Sequence, residues 1–93
     1  MSLRAERIRL RLLETLTPQE CLVTDESALH VGHPGAAAGG GHFRIRLVAA
    51  QFEGQKRVAR HRLVYHCLDD MMHSEIHALA LIALAPSEAA EAE

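Results

Sequence analysis

The chain has 93 residues, 48% hydrophobic and 24% charged, with a formal net charge of -2 when histidine is neutral. That suits one domain and excludes wholesale disorder, and with aromatics at 3% and no Trp the core must be aliphatic. No apolar run approaches the roughly 20 residues that cross a bilayer, and two distant cysteines, Cys21 and Cys67, exclude a disulfide scaffold or cysteine-rich zinc knuckle.

The first 16 residues alternate arginine with apolar side chains. Ala5, Ile8, Leu12, Leu13 and Leu16 fall at helical spacing, and Thr17-Pro18 stops the run. The segment is Arg-rich like some transit peptides, but Glu6 and Glu14 and the size of the domain favour a structural helix. Glu20–Asp25 is short and partly β-branched, as a strand is, with Cys21 and Val23 on one face. Residues 26–42 hold five Gly, one Pro and three histidines, and read as a long loop. Residues 43–48 alternate apolar and basic, which puts Phe43, Ile45 and Leu47 inward on a second strand, antiparallel to the first.

Residues 51–54 read as a turn. A long amphipathic helix is expected from about Lys56 to Met72, with Val64, Cys67, Leu68 and Met71 as its apolar stripe. Residues 76–84 are apolar apart from His77; their length allows a helix, but a crossover from the helix favours a buried central strand parallel to its neighbour. Pro86 closes it. Residues 87–93 read as an acidic, frayed, flexible tail outside a single domain of residues 1–86. The expected class is α+β, in the order α-β-β-α-β, with a three-stranded mixed sheet covered by helices on one face. Its open face would leave apolar surface for a partner or a second copy.

Charge is uneven: residues 51–66 sum to +3 and residues 67–93 to -6. The basic block holds Lys56, Arg57, Arg60, His61 and Arg62. A groove-entering recognition helix and an ordinary solvated face both fit it. The seven histidines are the other chemical signal. Imidazole binds zinc, copper and iron, and His30-x-x-His33 with His77 makes a loop-and-strand clamp one reading. Solvated loop histidines are the competing one. His42 reads as bonding locally at its strand start, and His66 and His73 as helix-surface residues. Both cysteines fall on inward stripes and read as small buried hydrophobes. No nucleophile, base and orienting group assemble, so no enzyme is expected. No phosphate-cradling GxxxxGK[ST] loop and no GxxG backbone clamp occur.

Taken in order, Asp25-Glu26-Ser27, His30, His42-Phe43, Phe52-x-Gly54, Arg60-His61-Arg62-x-Val64-Tyr65 and Ile76-His77-Ala78-Leu79 resemble the BolA-like proteins, in their histidine-loop subgroup. The resemblance spans roughly Arg7 to Pro86. It implies a fold similar to class II KH topology. It implies a non-enzymatic adaptor that partners a monothiol glutaredoxin and shares a [2Fe-2S] cluster with it, none being expected in the isolated chain. The expected iron ligands are His77 and, from the loop, His30, with His33 a competitor because this loop reads HVGH. Imidazoles in place of thiolates make such a cluster less anionic and raise its potential. The resemblance also implies, as the alternative, a DNA-binding transcription regulator acting through residues 56–66, with Arg57, Arg60, His61 and Arg62 as partner or DNA contacts. Stoichiometric zinc held by the histidine loop is a third reading. A cytoplasmic setting is expected.

Overall fold

A computed structural model describes residues 2–27 and 40–92. Helix α1 spans Leu3–Leu16. Ser2 Oγ caps it by accepting the Ala5 amide at 3.1 Å. Ala5, Ile8, Leu12 and Leu16 are buried, the stripe expected of a 3.6-residue period. Thr17 ends the helix in the left-handed region at φ 42° and donates its amide to the Leu13 carbonyl.

Strands β1 (Glu20–Asp25) and β2 (Gly41–Val48) pair antiparallel, from Glu20 opposite Val48 to Asp25 opposite Phe43. Strand β3 (Ile76–Leu84) pairs with β2 in parallel. The order β1-β2-β3 makes the mixed three-stranded sheet expected from the sequence, with one correction. The central strand is β2, and β3 is an edge. Its apolar run is satisfied by half-burial under the helices, with only Ile82 among its large hydrophobic side chains prominently exposed. The open sheet face leaves Leu22 and Ile82 exposed, as expected, on either side of Arg46, and Arg44 and Arg46 cross it paired to Glu26 and Glu20.

Phe43, Ile45 and Leu47 point inward against Ile8, Leu12, Leu16, Val64 and Leu68. Each such burial contributes about 1.5–3 kcal/mol. Phe52 is also fully buried, although it sits in a 3-10 turn at Ala50–Phe52. Gly54 then turns the chain at φ +74°, a conformation that L side chains rarely adopt.

The long helix is divided: α2 is Arg57–Cys67 and α3 is Asp69–Met72. Leu68 (φ -104°, ψ 11°) breaks the regular path, and Leu68 and Met71 both reach the core. Arg11 secures the break. Its guanidinium donates to the Cys67 carbonyl at 3.1 Å and to Asp70 at 2.5 Å. The C-terminal segment is not the frayed tail expected: Pro86–Ala92 forms helix α4. Pro86 suits a first helical position, and Glu88 reaches back to accept the Ala85 amide at 2.7 Å, half of a capping box. Ser87 Oγ donates to Glu53 at 2.9 Å.

Candidate functional site

The most distinctive geometry is a register shift at the start of β3. Gly41 stands opposite Ile76, but His42 stands opposite Ala78, so His77 is the extra residue of a bulge. In a regular strand His77 would share the inward face of Leu79, and Ile76 would point outward. The bulge reverses both: Ile76 is 2% exposed and buried in the core, while His77 is exposed. Gly40 makes the arrangement possible. A Cβ there would lie 2.7 Å from the His77 Cβ and 3.0 Å from its backbone nitrogen. Only glycine lets the chain pass that close.

His42 lies beside it on β2. The rings of His42 and His77 are 5.2 Å apart between centroids and tilted by 49°. The backbone of His42 is held at both ends. Its amide donates to Ser27 Oγ at 3.1 Å, and its carbonyl accepts the Glu26 amide at 2.8 Å. Ser27 is itself fixed, donating its amide to Asp25 Oδ1 at 2.9 Å, and Asp25 also accepts the Ser2 hydroxyl. Partial burial pushes the Asp25 carboxyl up, but the bonds from Ser2 and Ser27 outweigh it and hold the group below the usual carboxylate range. The Asp25-Glu26-Ser27 run therefore positions His42. The sequence marks His42 only as a local strand-start residue; its meeting with His77 depends on strand pairing, which no spacing rule reveals.

His30 and His33 lie outside the described residues. Among the described residues no group of three or more His, Cys, Asp or Glu side chains is placed to hold a metal. Cys21 and Cys67 pack half-buried against the core. Burial pushes the Cys21 thiol up, with Arg9 opposing it only partly, so the thiolate form is disfavoured.

The basic cluster divides. Arg57 and Arg62 are exposed. Arg60 is taken up by the fold. Its side chain is 11% exposed, and it donates to the carbonyls of Gln55 (2.9 Å) and Ala83 (3.0 Å) and to Glu88 (2.5 Å). Its guanidinium also lies 5.9 Å from the centroid of the Phe52 ring. Arg60, with the Ala85 amide, holds the Glu88 carboxyl below the glutamate range. His61 is half-buried and meets Tyr65 edge-on at 6.4 Å. Arg57, His61 and Leu81–Leu84 line a cleft of about 290 Å³. It lies at the far end of β3 from His77. Six residues of strand put about 20 Å between Ala83 and His77, so the histidine and arginine sites are separate.

A family model described as "BolA-like protein" matches residues 12–88. The chain belongs to the BolA-like family. This BolA-like chain is 40% identical to chloroplastic BOLA1 of Arabidopsis thaliana over 91% of its own length and 55% of that protein's. It is 37% identical to human BolA-like protein 1, covering 87% of this chain and 57% of the relative. It spans little more than half of those relatives, and 24% of the Arabidopsis SufE-like protein 1, chloroplastic/mitochondrial. The fold superposes on the BolA domain of Arabidopsis SufE1 with a TM-score of 0.83, at 40% identity and over 95% and 98% of the two chains. For mouse BolA1 the TM-score is 0.81 at 32% identity, over 99% of this chain and 72% of that one. No described helix is long and apolar enough to cross a membrane.

Proposed function

We propose that this BolA-like chain is a non-enzymatic adaptor that partners a monothiol glutaredoxin and co-ligates a [2Fe-2S] cluster with it, in iron–sulfur trafficking or iron and redox regulation. The observation that carries this reading is the bulge that turns His77 out of the sheet against the backbone of Gly40. A bulge costs regular pairing, and such features recur beside functional sites because they re-aim one side chain. Here the re-aimed side chain is the histidine of the Ile76-His77-Ala78-Leu79 motif.

The residues fit the group. An exposed imidazole is a suitable iron ligand, and a second imidazole, His42, lies next to it. When bound, the cluster supplies one-electron chemistry and a transferable iron–sulfur unit. This chain's residues hold and orient. His77 offers a ring nitrogen, and Gly40 fixes where its backbone stands. The bonds through Asp25, Ser27 and His42 rigidify the strand opposite. A further ligand from His30 or His33 belongs to the same proposal, as do glutathione and the partner's thiolate.

The test is co-purification with a monothiol glutaredoxin, followed by visible absorption and circular dichroism. The complex is expected to carry a cluster spectrum that His77→Ala alters or abolishes. An unchanged spectrum in that variant rejects the ligand assignment.

A second reading, DNA binding through α2, has one observation in its favour. Lys56, Arg57 and Arg62 are exposed on the first turns of the helix, where positive charge opposes the helix dipole. Such charge is better accommodated next to a polyanion. Arg57→Ala with Arg62→Ala then weakens a low-salt gel shift, and an undiminished shift rejects the reading.

A further inference from the structure

We propose that the outer edge of β3, with the cleft along its C-terminal half, docks an extended acidic segment of a protein partner as a fourth strand. Backbone groups of successive residues face opposite sides of a strand. The Leu84 carbonyl accepts the Ala49 amide and so faces β2, whereas the Ala83 carbonyl accepts Arg60 and faces away. Pairing is regular from Ala78 to Leu84, which carries that alternation along the strand. Leu79 and Leu81 therefore point both N–H and C=O outward, and Ala83 its N–H, with no partner for them among the described residues. Edge strands are usually short, or defended by charge or proline. Strand β1, the other edge, has six residues with Glu20 and Asp25 at its ends. Strand β3 has nine, with no Pro, Asp, Glu, Lys or Arg.

Charge and hydrogen-bond chemistry choose the occupant. The open groups are donors and acceptors at strand spacing, which a polypeptide backbone matches and phosphate oxygens, acceptors only, do not. Beside Leu81–Leu84 the cleft is lined by Gln55, Arg57 and His61. Glu88 lies in the same cleft but is engaged by Arg60 and the Ala85 amide. Arg57 is exposed, and no described carboxylate pairs with it. A carboxylate on the incoming strand completes that arginine with a charge-assisted bond. A second copy pairing through β3 brings none, because the strand has no acidic residue. Antiparallel pairing, the more stable arrangement, puts the carboxylate toward the N-terminal side of the docked segment. Ile82, exposed on the open sheet face, favours a β-branched neighbour across the new pair. The site is independent of the cluster reading, and His77 takes no part in it.

The experiment selects binders to the full chain from a phage-displayed library of random twelve-residue peptides. The enriched peptide, synthesised with blocked ends, is then titrated into the ¹⁵N-labelled chain. Enriched sequences are expected to place Asp or Glu ahead of a β-branched pair. On binding, the amides of Leu79, Leu81 and Ala83 are expected to shift and to exchange with solvent more slowly. Arg57→Glu is expected to weaken binding at least about tenfold, since a like-charge contact replaces an attractive one. Arg62→Glu, the same charge change on the same helix but outside the cleft, is expected to keep most of it. The backbone spectrum reports the fold of each variant. No enriched peptide, or shifts that spare the β3 amides, overturns the inference. Equal losses in the two variants also overturn it, by showing generic charge attraction. So do β3 amides already protected in a free chain that sediments as a dimer, or protected by a single-stranded oligonucleotide and not by peptide.

Discussion

The two ends of β3 are built on opposite principles. At its C-terminal end, Arg60 fills its donors with the Gln55 and Ala83 carbonyls and Glu88, and Glu88 in turn caps α4. At its N-terminal end the register slips, a glycine replaces side-chain packing, and an imidazole is turned out to solvent. Charge-assisted hydrogen bonds at one end hold the strand in place. The irregularity at the other end sacrifices regular pairing to turn one imidazole outward. The comparison teaches that the charged residues of a family motif can serve the fold, while the catalogue of exposed groups that could serve chemistry lies elsewhere.

Removing the clamp should have the largest effect on stability. Arg60→Ala strips partners from two carbonyls and a carboxylate and uncovers Phe52, so a loss of about 2–4 kcal/mol is expected in urea unfolding. His77→Ala tests the contrast in the same assay: an exposed side chain off the core should change stability by no more than about 0.5 kcal/mol. A large loss for His77→Ala and a small one for Arg60→Ala would invert the account.

Gly40→Ala should come next. The added methyl meets the His77 Cβ and backbone at 2.7–3.1 Å, and overpacking of this kind costs about 1–3 kcal/mol. It should also displace His77 and weaken the cluster spectrum of the glutaredoxin complex. A fully stable variant with an unchanged spectrum would show that the close approach does not matter.

The acid limb gives the smallest effect. The Glu88 carboxyl is held below its ordinary range in the folded chain. A group with a depressed folded pKa adds stability above its ordinary pKa, and that stability is lost as pH falls through the folded value. Glu88→Gln should therefore destabilise the chain at neutral pH and flatten its loss of stability below the ordinary glutamate range. Parallel acid limbs for the two proteins would remove Glu88 from this role.

Much of the fold was legible from spacing. The α1 stripe, the inward Phe43, Ile45 and Leu47, the parallel crossover and the class all follow from periodicities of 3.6 and 2. The misses have physical causes. Leu68 breaks a helix whose apolar stripe continues across the break, so the pattern alone hides it. The edge position of β3 depends on which strand pairs twice, which an apolar run does not record. Helix α4 was signalled by Ala85-Pro86-Ser87-Glu88, a proline start with a glutamate at the third position, but the acidic composition masked it. At the site, His77 was legible from its motif. The bulge that aims it and the approach of His42 are products of strand register, set by pairings far apart in sequence. Arg60 looked like a surface cation because its acceptors lie 5, 23 and 28 residues away.

The most direct measurement is pulsed electron paramagnetic resonance on the reduced complex of this chain with a monothiol glutaredoxin. Strong nitrogen couplings from histidine ligands are predicted for the wild-type chain, diminished or lost in His77→Ala while the chain stays folded. A reduced cluster with no histidine nitrogen coupling, or with couplings unchanged by His77→Ala, would contradict the account.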